Sequence, residues 1–240
     1  MLVLAIAMLA GMVRGMVGFA MPMIFVSGLS TLLPPDWALA GLILPTLVTN
    51  GMQALRHGAE AAVRSIRRFR VFLLFKLVWL LATSQLETRI PASIFLLLIA
   101  VPVVAFAAIQ LLGGRSRLGH ASSRSDALVG AFADGVGGMS GVWGPPIVAY
   151  LNALNTPKRD QMRIQGVIYG LGAVALAHLG SGVLRSETLP LSLVLILPAA
   201  IGMWLGGRWQ DRIDQNVFRK LTLIVLLLAG LNLLLRALMG

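Results

Sequence analysis

Two ionisable side chains occupy corresponding places in two glycine-rich apolar stretches. Arg14 directly precedes a glycine in GMVRGMVGFAMP, and Asp134 directly precedes one in GAFADGVGGMSGVWGPP. An ionisable group costs about 2.5–3.5 kcal/mol or more at the centre of a bilayer, so it is functional by default. We expect Arg14 to bind an anion and Asp134 to be its partner or a proton carrier. The alternative is that the two only pair with each other or lie near the membrane interface.

Polar and aromatic side chains near these stretches are the other candidates for contact with a small solute. Aromatic residues in the stretches can wall a cavity. Amides within apolar segments need hydrogen-bond partners, and the alternative to contact with the solute is an interhelical hydrogen bond. The predicted substrate-binding residues are Arg14, Gly18, Phe19, Asn50, Asp134, Ser140, Gly141, Trp143, Gly144 and Gln165.

Glycine followed by proline predicts a helix broken in the middle of each stretch. Glycine permits non-helical backbone and close approach, whereas proline is favoured in the first turn of a helix. The predicted break residues are Gly15 and Pro22 in the first stretch and Gly137, Gly138, Pro145 and Pro146 in the second. Matched broken segments indicate a transporter's substrate site, and helix N-termini that face a cavity favour an anion.

The competing interpretation is that these glycines only let helices pack closely. Glycine recurs at four-residue spacing in four pairs, and such pairs are typical of membrane helix interfaces. We prefer packing for the pairs beginning at Gly166 and Gly202, and a broken helix for those beginning at Gly11 and Gly137.

Composition places the chain in a membrane. Of 240 residues, 58% are hydrophobic and 12% are charged, whereas a soluble domain carries roughly a quarter charged residues. The formal net charge of +11 comes from short loops, which favours the positive-inside rule over nucleic-acid binding. The absence of cysteine excludes thiol chemistry and Cys-ligated metals, and we expect neither metal nor cofactor.

Loop charge predicts an inverted repeat. Basic residues concentrate around positions 56–70, 115–124, 158–163 and 208–220, and all four connections are cytoplasmic only if the second stretch enters and leaves on one side. We therefore predict an all-α polytopic protein of two inverted repeats, each a broken helical hairpin plus three transmembrane helices, with both termini outside. The predicted boundaries are 1–113 for the first repeat (hairpin 2–33, helices 37–55, 70–83 and 92–113), 114–126 for a cytoplasmic linker, and 127–240 for the second repeat (hairpin 127–154, helices 164–184, 189–207 and 218–238).

At these residues the chain resembles the sulfite exporter TauE/SafE family of membrane permeases. The resemblance lies in RGMVGFAMP with the following LLPP, in GGMSGVWGPPIVAYL with TPKRD, and in the tail from Gly202 to Leu235. Trp143 stands where that family commonly has glycine. The resemblance implies transport of small sulfur-containing or organic anions such as sulfite or sulfonates.

The sequence therefore predicts a secondary transporter, not an enzyme, in a bacterial inner membrane. Alternating access moves a small anion, and proton coupling and a homodimer remain open. The first alternative is a passive anion channel on the same architecture. The second is a rhomboid-like intramembrane serine protease, because the string from Gly138 to Gly141 contains Ser140 in a G-x-S-G pattern.

Overall fold

The computed structural model describes residues 1–71, 73–74, 92–113, 144–179 and 184–239. Regular secondary structure in these ranges is helical throughout, without strands, in agreement with the predicted all-α class. The helices are α1 (Leu2–Val17), α2 (Met21–Leu29), α3 (Pro35–Leu55), α4 (Ala59–Arg68), α5 (Ala92–Leu111), α6 (Gly144–Ala153), α7 (Lys158–Leu179), α8 (Leu189–Arg212) and α9 (Gln215–Met239).

Several helices have the length and apolar surface of membrane spans. Within the described ranges, three of them (α3, α8 and α9) are long and apolar enough to cross a bilayer, and α1 and α5 contain shorter apolar helices. Their outward side chains are apolar as well: Leu197 of α8 is 67% exposed and Leu228 of α9 is 61% exposed. Large apolar side chains at this density on the surface are expected where the surrounding solvent is lipid. These features agree with the predicted membrane class.

The chain forms two compact units. One contains Met1–Val63 and Arg159–Phe218, and the other contains Arg64–Lys158 and Arg219–Gly240. Each unit therefore draws its helices from both halves of the chain. This division does not test the predicted repeats, 1–113 and 127–240, which stay a prediction.

A short hairpin of α1 and α2 opens the first unit. The Sδ of Met21, at the start of α2, lies 3.9 Å from the Nη1 of Arg14 near the end of α1. Gly28, near the end of α2, packs against Ile6 near the start of α1. The two helices thus run back along each other. Their shared core consists of small and large apolar side chains that are fully buried together with residues of α3 and α8: Ala7, Ala10, Met21, Phe25, Leu29, Ala38, Leu195 and Ala199.

Four glycines bring α1 and α8 into backbone contact. A Cβ atom built on any of them would lie 2.0–2.2 Å from a carbonyl oxygen of the facing helix. The contacts are Gly11 to Ala199, Gly15 to Met203, Gly202 to Met8, and Gly206 to Met12. The packing interpretation is correct for the Gly202 pair. It also holds for the Gly11 pair, where a broken helix had been the preferred interpretation.

Two stretches predicted as basic connections are helical. Helix α4 lies in the connection after α3, and it buries Ala61 and Ala62 while its arginines stay at the surface. Helix α7 begins at Lys158, six residues before the predicted start at 164, and an ion pair of 2.5 Å joins Asp160 to Arg163 in its first turns. Both stretches are rich in good helix formers, which hydropathy alone does not detect. Most of the predicted helix 70–83 lies outside the described residues.

Candidate functional site

The break in the first hairpin occupies three residues between α1 and α2. Helix α1 ends at Val17, and the next residue, Gly18, adopts a left-handed conformation with φ +89°. Ala20 is also left-handed, with φ 70°, a conformation that costs a residue with a Cβ roughly 1–2 kcal/mol. Pro22 lies in the first turn of α2, where its missing N–H removes no helical bond. Gly15 lies inside α1 and belongs to its contact with α8, not to the break.

Arg14 is a buried guanidinium held by neutral groups. Arg14 is only 1% exposed. Its Nε donates to Gln53 Oε1 at 3.1 Å, and its Nη2 donates to Asn50 Oδ1. In the part of the chain that the structure describes, Arg14 has no carboxylate partner. A buried charge without a counter-charge is expensive, so this arrangement favours an anion beside Arg14.

Gln53 joins three segments at the break. Its Oε1 accepts from Arg14, while its Nε2 donates to the carbonyl oxygens of Gly18 at 3.1 Å and Met162 at 2.8 Å. This single side chain therefore fixes α1, the break and α7 around α3. Gln53 is not among the predicted substrate-binding residues, and its contacts are the interhelical hydrogen bonds expected of an amide within an apolar segment.

Gln165, on α7, forms a cluster at the break together with Arg14, Gly18, Asn50 and Gln53. It is fully buried, and neither atom of its amide has a hydrogen-bond partner among the described residues. Its Oε1 packs against Gly18, where a built Cβ would approach it to 1.8 Å. The Nδ2 of Asn50 is likewise buried and without a described partner. Buried polar groups are normally satisfied, so these amides are suited to a solute with acceptor atoms.

The structure thus gathers five of the predicted residues around one break: Arg14, Gly18, Phe19, Asn50 and Gln165. Phe19 lies in the break itself and is 2% exposed. Sequence reasoning did not select Gln161 or Met162, because the helix that carries them was predicted to begin at 164. The signal available in the sequence was the four-residue spacing of Gln161 and Gln165, which places two polar side chains on one helical face.

The second stretch is described only from its end. Gly144 begins α6, and Pro145 and Pro146 lie in the first turn of that helix, both buried. This is the same placement of proline that α2 shows. The remaining predicted site residues of this stretch lie outside the described residues: Asp134, Gly137, Gly138, Ser140, Gly141 and Trp143.

Gly18 offers a test of the break with a matched control. Gly18 and Gly58 have nearly equal φ values, +89° and +88°, but a Cβ on Gly58 meets nothing within 4 Å. Gly58→Ala is expected to cost only the left-handed strain, roughly 1–2 kcal/mol. Gly18→Ala adds displacement of the Gln165 amide, so it should lower anion affinity, which Gly58→Ala should leave unchanged.

Thermal melting and anion-binding titrations of both variants check this prediction. Equal anion affinities of the two alanine variants, at similar melting temperatures, would show that the contact between Gly18 and Gln165 has no part in binding.

Comparison with protein families gives one match over most of the chain. The family model described as sulfite exporter TauE/SafE matches residues 3–233. The matched range contains the break, Arg14 and every amide of the cluster. Neither a curated protein nor a solved structure matches the chain.

Proposed function

The chain belongs to the sulfite exporter TauE/SafE family, a family of membrane transporters, and we propose that it moves a small anion by alternating access. The substrate class is sulfite, a sulfonate or a related organic anion. The observation that carries this proposal is the buried Arg14 guanidinium, bonded to neutral amides at a helix break. No catalytic role is proposed for any residue.

The described contacts of Arg14 support an anion site, because the groups that hold it are neutral. Two neutral acceptors, on Gln53 and Asn50, orient the guanidinium without cancelling its charge. In a membrane interior such a charge marks a substrate or ion pathway. Helix α2 begins directly after the break and has no side-chain cap at its N-terminus. Its first-turn N–H groups therefore add positive potential at the break.

An inverted repeat is the architecture that we propose around this site. Helices α2 and α6 both begin with proline in the first turn after a glycine-containing stretch. Together with the basic loops, this supports two hairpins that enter from opposite faces, with both termini outside the inner membrane. Asp134 would lie at the second break and remains the proposed partner of Arg14 or carrier of a coupling proton.

Flux measurements with the purified protein in liposomes test the proposal. We expect uptake of labelled sulfite or methanesulfonate that saturates with concentration, and accumulation above equilibrium when a proton gradient or membrane potential is imposed. Empty liposomes provide the baseline. Rapid, non-saturating flux without accumulation would instead indicate a passive channel, and the lack of any anion flux would contradict the proposed transport function.

A further inference from the structure

Three buried amide groups, one on α3 and two on α7, have unused donors. The Nδ2 of Asn50, the Nε2 of Gln161 and the Nε2 of Gln165 have no hydrogen-bond acceptor among the described residues. The three residues are 0%, 1% and 0% exposed, respectively. Leaving such groups unpaired is costly, and Asn50 contacts Arg14 while Gln165 contacts Gly18 at the break. They therefore indicate a ligand rich in acceptors.

The positions of these donors are fixed by contacts already described. Asn50 uses its Oδ1 to accept from Arg14, so its Nδ2 is the free end of the amide. The Oε1 of Gln165 packs against Gly18, and its Nε2 is a buried donor without a described partner. Gln161 lies four residues before Gln165 on α7, and residues at this spacing are neighbours on one helical face. The donors thus belong to two helices, α3 and α7, beside the charge on α1.

Donors from several helices favour an anion whose oxygens point in several directions. A sulfonate or sulfite head is pyramidal and carries three oxygens, so it can accept from Arg14, from Asn50 and from α7 at once. A carboxylate has two oxygens whose acceptor positions lie in one plane, so we expect it to meet donors from α1, α3 and α7 less completely. A site that hydrogen-bonds one substrate rejects an analogue that leaves its polar groups unpaired.

We propose that Gln161 and Gln165 form the element of the site that selects a three-oxygen anionic head over a carboxylate of equal charge. This inference rests on the proposed anion site at Arg14. It assigns the charge recognition to Arg14 and the discrimination between head shapes to the two α7 amides. Gln161 thereby becomes a specificity-determining residue.

Methanesulfonate and acetate are the probes, because both are small monoanions at neutral pH. Their dissociation constants are measured by calorimetric titration of the purified protein, for wild type, Gln161→Met, Gln165→Met and the double variant. Methionine keeps the length of glutamine and removes the amide donors. Should a methionine not be accommodated, Gln161→Ala and Gln165→Ala remove the same donors without adding volume. Asn232→Leu is the control, because Asn232 on α9 also has an unpaired amide atom but lies in the other compact unit.

We expect wild type to bind methanesulfonate roughly tenfold or more tightly than acetate. Each Gln→Met change should weaken methanesulfonate binding several-fold and leave acetate nearly unchanged, and the double variant should bind the two anions about equally. The control should keep the wild-type ratio.

Two different failures are distinguishable. If the double variant keeps the wild-type ratio while Arg14→Gln abolishes binding of both anions, the selectivity role of the α7 amides is wrong and the anion site stands. If wild type binds neither anion, the proposed anion site itself is wrong. The same holds if the Arg14→Gln variant binds both anions as tightly as wild type does. In either case the inference falls with the site.

Discussion

Replacing Arg14 with glutamine should reduce anion transport by on the order of 100-fold or more, because it removes the buried charge that attracts the substrate. Loss of one member of a buried, hydrogen-bonded charge pair typically costs 2–5 kcal/mol or more in binding. The variant should still fold, since a neutral side chain at this place relieves a desolvation cost instead of adding one. Initial uptake rates in liposomes and a melting curve measure both effects.

Two further variants separate charge from geometry. Arg14→Lys keeps the charge but lacks the planar fork that reaches Gln53 and Asn50, so we expect transport between that of wild type and Arg14→Gln. Arg208→Gln is the matched control, because the guanidinium of Arg208 stacks over the ring of Trp204 at 4.2 Å, and Trp204 is itself half-exposed. Wild-type uptake by Arg14→Gln would contradict the assigned role of Arg14.

Much of the first hairpin could be predicted from sequence because its chemistry is local. Gly18 and Pro22 have conformational preferences that act on their own backbone, so a break between them follows from residue type alone. Arg14 is conspicuous for a similar reason, as a charge in an apolar stretch. The same reasoning pointed to Asn50 and Gln165, which need partners wherever their helices cross the membrane.

The partners of these residues could not be predicted, because they depend on which helices meet. Nothing local in the sequence indicates that Gln53 reaches the carbonyl oxygens of both Gly18 and Met162. The contact between α1 and α8 joins residues about 190 positions apart, and only the tertiary fold decides that pairing. Gln161 was missed because the charged residues around it lower the local hydropathy, and the segment was therefore assigned to a loop.

Glycine illustrates the same limit, since one residue type serves two purposes within a single helix. Gly11 and Gly15 stay helical and allow α8 to approach, whereas Gly18 leaves the helix with positive φ. Local propensity is similar at all three positions. What differs is the neighbour: a carbonyl of α8 at the first two, and the amide of Gln165 at the third.

The contact of α1 with α8 leads to a second prediction of large effect. A Cβ on Gly206 would lie 2.0 Å from Met12 O and 3.1 Å from Gly15 Cα, all of it backbone. Rotamer changes cannot relieve this overlap, so Gly206→Ala must push the two helices apart. Overpacking of this kind costs about 1–3 kcal/mol, which corresponds to a fall in melting temperature of roughly 2–12 °C for a chain of this length.

Gly51→Ala is the matched control for that variant. Gly51 lies within α3, and a Cβ there meets nothing within 4 Å. Because alanine is the better helix former by up to about 1 kcal/mol, this variant should melt at or slightly above the wild-type temperature. An unchanged melting temperature for Gly206→Ala would show that α1 and α8 can separate at no cost.

The same variant should also weaken anion binding, although the atoms nearest to a Cβ on Gly206 belong to Met12 and Gly15. Arg14 lies on α1 between the contact glycines Gly11 and Gly15, so a displacement of α1 from α8 moves the guanidinium relative to Asn50 and Gln53 on α3. Misplacing a charge in a preorganised site by a few tenths of an ångström to 1 Å is enough to lower affinity. A loss of affinity in Gly206→Ala that Gly51→Ala does not share would therefore tie the close packing of α1 to the position of its charge.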